Sequence, residues 1–82
     1  MRRFKGTVLA GHKGLAVEVP FEPTTPARPL WPGRKGHPAR GTVNGTTFES
    51  AVVPRARRYW LLLDDALGVR EGDEVNVALE LL

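Results

Sequence analysis

Arg40-Gly41-Thr42-Val43-Asn44-Gly45-Thr46-Thr47-Phe48-Glu49-Ser50-Ala51-Val52-Val53-Pro54 is the stretch that decides the fold. At its centre, Asn44-Gly45 supplies two residues that tolerate positive φ, as a type I′ turn requires. The twist of that turn matches a pair of antiparallel strands. The flanks Arg40–Val43 and Thr47–Val53 therefore read as the arms of a hairpin, and Pro54 is expected to end it.

Working outward, three more segments alternate at strand period. Phe4-Lys5-Gly6-Thr7-Val8 places Phe4 and Val8 on one face. Leu15-Ala16-Val17-Glu18-Val19 sets Leu15, Val17 and Val19 against Glu18. Val75 to Leu81 turns Asn76 and Glu80 outward. Gly11-His12-Lys13-Gly14 reads as a hairpin turn between the first two segments. Arg58–Leu63 is a further strand, with Tyr59, Leu61 and Leu63 on one face and Arg58, Trp60 and Leu62 on the other. Phe4, Val8, Val17, Val19, Phe48, Tyr59, Leu61, Val75, Val77 and Leu79 are the expected core.

Helix signals are few. Asp64-Asp65-Ala66-Leu67-Gly68 predicts one very short helix, capped by Asp64 and left through Gly68. Glu71-Gly72-Asp73 reads as a tight turn into the last strand. Five prolines fall at intervals of three: Pro20, Pro23, Pro26, Pro29 and Pro32. Polyproline II repeats every three residues, whereas an α-helix cannot pass Pro29 without a lost hydrogen bond and a clash. Residues 20–38 are expected to form an extended strap with at most one helical turn, Trp31 partly buried against the strands. The form Pro29-Leu30-Trp31-Pro32-Gly33-Arg34 also fits a polyproline ligand of an aromatic groove, but a structural role is the preferred reading.

Two halves of the same outline emerge. Residues 4–43 and residues 46–82 each run strand, strand, connection, strand. The expectation is an all-β fold over residues 1–82, a small closed six-stranded barrel of two pseudo-symmetric β-β-x-β halves with minimal helix. Closure removes the exposed strand edges that make small sheets sticky. A chain carrying both halves closes its own barrel, so a monomer is expected.

The chain has 82 residues, no cysteine and a formal charge of +3. Disulfide scaffolds, cysteine-ligated zinc and thiol catalysis are excluded. No apolar run approaches the ~18 residues of a membrane helix, and Phe4-Lys5-Gly6-Thr7 after Met1-Arg2-Arg3 is not a signal-peptide core. A cytoplasmic protein is expected. Residues 1–63 hold the acids Glu18, Glu22 and Glu49 against 11 basic side chains, while residues 64–82 hold Arg70 against six acids. The plainest reading is that the acidic end packs beside the basic part and screens it.

In combination, Arg40 to Phe48, Val53-Pro54, Tyr59-Trp60-Leu61-Leu62-Leu63 and Gly68-Val69-Arg70-Glu71-Gly72-Asp73-Glu74-Val75-Asn76-Val77 resemble the domain-of-unknown-function family numbered nineteen-oh-five. Phe4-Lys5-Gly6 and Val17-Glu18-Val19-Pro20 fit it too. The resemblance implies a double-split β-barrel, similar in architecture to the swapped-hairpin barrels of AbrB-like and MazE-like DNA-binding proteins. It brings no established activity and no catalytic residues.

Candidate chemistry is sparse. His12 and His37 lie in polar turns by sequence, with no spacing that assembles three or four metal ligands. Ser50 sits mid-strand, not on a nucleophile elbow. Asp64-Asp65 and Asp73-Glu74 are explained by capping and turns. Gly33-Arg34-Lys35-Gly36 lacks the context of a phosphate loop. No catalytic residue, cofactor or metal is expected. Arg55-Ala56-Arg57-Arg58-Tyr59-Trp60 interleaves cations with aromatics, as nucleic-acid binders do, and Arg34, Lys35 and Arg40 can join it. The leading expectation is a non-enzymatic binding or interaction module of unknown ligand. The alternative is an AbrB-like nucleic-acid-binding domain acting through Arg34, Lys35, Arg55, Arg57, Arg58 and Trp60. Nucleic acid and another protein are the candidate partners.

Overall fold

The computed structural model describes residues 1–11 and 14–82, apart from the side chain of Trp31. His12 and Lys13, at the centre of one expected turn, and the expected burial of Trp31 lie outside the described residues. Seven strands follow in order: β1 (Arg2–Gly11), β2 (Gly14–Val19), β3 (Arg28–Trp31), β4 (Arg34–Val43), β5 (Thr46–Arg55), β6 (Arg58–Leu63) and β7 (Glu74–Leu81). Neighbours run β3-β4-β5-β6-β2-β1-β7, and β7 pairs again with β4. Six antiparallel strands thus close into a barrel and β3 lies outside it. Among the described residues, a single 3₁₀ turn, Asp65–Leu67, is the helix content.

The two halves are equivalent in register. Val8 pairs with Val17 as Val52 pairs with Leu61. β1 is flanked by β2 and β7 just as β5 is flanked by β6 and β4. The halves meet at β2–β6, where Val17 opposes Leu61, and at β4–β7, where Gly41 opposes Leu79. Phe4 and Phe48 hold corresponding places at opposite ends of the barrel.

Inward alternation fills the interior with Val8, Val17, Val19, Ala39, Val43, Val52, Leu61, Leu63, Val75, Val77 and Leu79. Phe4, Phe48 and Tyr59, expected in the core, are half-buried against it instead. Large rings do not fit the narrow centre of a six-stranded barrel, so they close its mouths. Val53 is buried too, on the outer face of β5. It borders Gly36, beside which Leu30 also packs. The β3–β4 hairpin covers it, and strand periodicity carries no sign of that second layer.

The two connections cap opposite mouths. After β6, Asp64 Oδ1 accepts from the Ala66 N–H over 3.0 Å, and Gly68 leaves the turn at φ 72°. Leu67 and Val69 pack on the core from there. After β2, Phe21 meets Phe4 edge to face with ring centroids 6.1 Å apart. Arg2 lies over the Phe21 ring at 4.1 Å.

Three expectations need correction. Residues 20–38 contain no helix and are extended over 28–31 and 34–38, as expected, but as the arms of a hairpin rather than as one continuous strap. Arg28–Trp31 and the start of β4 form a hairpin around Pro32-Gly33, with Trp31 paired to Arg34 and Gly33 at φ 78°. Pro29 is tolerated there because β3 is an edge strand. That hairpin also excludes Pro29–Arg34 as a polyproline ligand. Pro54 does not end β5, which runs on to Arg55. Arg55 and Arg58 close a two-residue hairpin, so at Pro54 opposite Tyr59 the backbone nitrogen points away from β6. On its other side the β4 pairing has already stopped at His37 opposite Val52. The missing N–H leaves no ladder bond unmade. Finally, His37 lies within β4 rather than in a turn, and its Nδ1 is 2.8 Å from the Thr25 carbonyl oxygen. It therefore donates from Nδ1 and ties the proline-rich connection to the barrel.

Candidate nucleic-acid interface

β5 ends and β6 begins at one mouth of the barrel, and β4 starts beside them. β4 begins at Arg34, three residues before the last β4–β5 pair, His37 opposite Val52, so Arg34 and Lys35 lie at the end of the barrel where β5 finishes. Arg28, paired with Gly36, flanks the same end from β3. Five cations read as candidates from sequence, Arg34, Lys35, Arg55, Arg57 and Arg58, are thus brought to one mouth by three strands.

The turn that presents them is unusual. Ala56 and Arg57 both have positive φ, 52° and 64°. Asn44-Gly45 does the same at 49° and 85° with residues suited to it. A side chain beyond glycine in that region costs roughly 1–2 kcal/mol. The Arg55–Arg58 pair closes the hairpin and leaves Arg57 at the tip. No sequence signal marks this turn, since it lacks both glycine and asparagine.

Trp60 lies on the outer face of β6, half-buried, and its Nε1 donates to the Arg55 carbonyl over 3.3 Å. The ring is thereby fixed beside the turn. Arg58 is the engaged cation of the group: its Nη1 donates to Glu18 Oε1 over 2.9 Å. Arg55, Arg57 and Lys35 are exposed with no carboxylate partner among the described residues. Arg34 is half-buried and its Nε has no acceptor among the described residues. A shallow cleft of about 620 Å³ lies against the β3–β4 hairpin between Leu30, Pro32, Arg34 and Lys35.

The acidic segment does not screen this mouth, contrary to the plainest reading of the charge pattern. Asp64, Asp65, Glu71, Asp73 and Glu74 gather where β6 ends and β7 begins, at the other mouth. Two of them serve the local backbone, Asp64 as the cap and Asp73 by accepting from the Arg70 N–H over 2.9 Å. Among the described residues, only Glu80 of this segment pairs with a cation, Arg40, at 3.1 Å. The barrel is therefore polar along its axis, basic at one mouth and acidic at the other.

The remaining candidates have local roles. Ser50 donates to the Leu62 carbonyl over 2.7 Å across β5 and β6. Among the described residues no group of three His, Asp or Glu side chains converges as a metal site requires. Among the described residues no helix is long and apolar enough to cross a membrane.

The family described as Domain of unknown function (DUF1905) matches residues 4–79. The chain belongs to that family. The DUF1905 match spans every strand of the barrel, with only the outermost residues of β1 and β7 beyond it. No curated protein and no solved structure matches the chain. The basic mouth of this DUF1905 barrel is thus read from its own residues.

Proposed function

We propose that this DUF1905 chain is a non-enzymatic binding module whose basic mouth takes nucleic acid, in the manner of an AbrB-like domain. The observation that carries the reading is the convergence of Arg34, Lys35, Arg55, Arg57 and Arg58 beside the fixed ring of Trp60. Unpaired guanidinium and ammonium groups replace condensed counterions on phosphates, while an aromatic face stacks on a base. The turn presents Arg57 to solvent at its tip, where a phosphate can reach it.

The test is fluorescence anisotropy with a labelled single-stranded oligonucleotide at several salt concentrations. Four or five phosphate contacts give a slope of log affinity on log salt of roughly −3. Binding without salt dependence, or no binding at ~50 mM salt, where phosphate contacts are strongest, sinks the reading. A second reading rests on β3, which pairs with β4 alone. Its free edge can take one extended segment of another protein by strand addition. Backbone amide shifts confined to Arg28–Trp31 on adding a partner peptide would favour it.

A further inference from the structure

The far side of the barrel holds a second cleft, of about 650 Å³, on the outer faces of β1, β7 and the β4–β5 turn. Its floor follows from the register. Ala78 is paired with Arg3 on β1 and with Thr42 on β4, so the three stand in one row across three strands. Lys5 is paired with Asn76 in the row two residues along. Val77 and Leu79 point inward, hence all of these side chains point outward. Ala78 is the small residue between two longer ones, and Gly45 adds no side chain at the rim. The trough is therefore shaped by residue size.

Its walls are polar and unengaged. Arg3 and Lys5 form no ion pair among the described residues. Two acids flank this row on the outer face of β7: Glu74 pairs in register with Thr7, and Glu80, two residues past Ala78, is taken up by Arg40 at 3.1 Å. Asn76 donates its backbone N–H to Asn44 Oδ1 over 2.8 Å, and its side-chain amide makes no hydrogen bond among the described residues. Arg3 and Lys5 line the β1 side, Asn76 stands beside Lys5 on the central strand β7, and Thr42 lies on β4, two strand spacings from Arg3.

We infer that this cleft is a binding site for a phosphomonoester of nucleotide size. A phosphate monoester carries about −1.5 to −2 charges at neutral pH and three strong acceptor oxygens, which matches two free cations. Small-ligand pockets range over roughly 300–1,000 Å³, so the cleft has room for more than the phosphate. Asn76 and Thr42 supply the donors and acceptors that orient the remainder. The site shares no residue with the basic mouth and stands independently of the nucleic-acid reading.

The test is an amide NMR titration of the full chain with adenosine 5′-monophosphate, adenosine and inorganic phosphate as probes. The monophosphate is expected to give saturable shifts at Lys5, Thr42, Gly45 and Asn76, and adenosine none. The pair Arg3→Gln and Lys5→Gln, both on the exposed face, should weaken it at least tenfold. Arg55→Gln with Arg57→Gln should leave it unchanged. Shifts confined to Arg55–Arg58, survival of binding in the Arg3/Lys5 variant, or no saturation overturn the inference. Equal affinity for inorganic phosphate overturns the nucleotide-sized body of the ligand. None of these results bears on the salt dependence of oligonucleotide binding at the other mouth.

Discussion

Arg58 reaches back across β6 to Glu18 on β2, with Nη1 and Oε1 2.9 Å apart. The pair joins the two halves of the barrel beside the Ala56-Arg57 turn. It divides the basic mouth into one cation already neutralised and several that are not. Exposed pairs of this kind are worth ~0–1 kcal/mol, so its main consequence is for charge rather than for stability.

Losing Arg57, at the tip, should therefore weaken oligonucleotide binding more than losing Arg58. Arg57→Ala should reduce the slope of log affinity on log salt by about 0.7, one single-strand phosphate contact. Arg58→Ala should change it less. Anisotropy titrations of both variants decide the order, and the reverse order would assign the contact to Arg58.

Stability and binding should part company at the same turn. Arg57→Gly relieves a positive-φ side chain and should raise the unfolding free energy by about 1 kcal/mol, while lowering oligonucleotide affinity. Urea denaturation read beside the binding assay tests both signs. A destabilised Arg57→Gly variant would show that the turn is not strained.

Closure of the barrel depends on Gly41. A Cβ built there overlaps the Ala78 carbonyl oxygen and approaches the Ala78 carbonyl carbon to 2.8 Å, and backbone cannot step aside as a side chain can. Gly41→Ala should destabilise by roughly 2–4 kcal/mol through a forced backbone shift at the β4–β7 seam. A loss within ~0.5 kcal/mol, the range of neutral surface changes, would mean that the seam is loose.

Leu61 and Val77 are both buried on the inward face, at 0% and 2% exposure. Leu61→Ala should cost about 2–4 kcal/mol by opening a cavity that a closed barrel cannot collapse around. Val77→Ala should cost somewhat less, since it removes fewer atoms. Denaturation midpoints at unchanged m-value measure both.

One chain supplies all six barrel strands, so strand exchange between chains is not required. Sedimentation equilibrium at micromolar concentration should return the single-chain mass of 9.0 kDa. A concentration-independent dimer would refute the expectation that each chain closes on itself.

Features that rest on neighbouring residues were legible in the sequence. Asn44-Gly45 determines its turn, period-two alternation determines which of Val75, Val77 and Leu79 share a face, and Asp64 with Gly68 determines the one 3₁₀ turn. Each follows from torsional preference or side-chain direction within a few residues. The outline of two equal halves was legible for the same reason. Tertiary structure alone decided the rest. Arg34 and Arg55 come to one mouth only through the β4–β5 pairing. Pro54 stays in β5 because β4 has already left its side. Ala56 and Arg57 accept positive φ because closing the β5–β6 hairpin outweighs their local preference. Val53 and the row Arg3, Ala78 and Thr42 acquire their settings from strands far apart in sequence. Register across a barrel is a property of all six strands at once, and no window of neighbouring residues contains it.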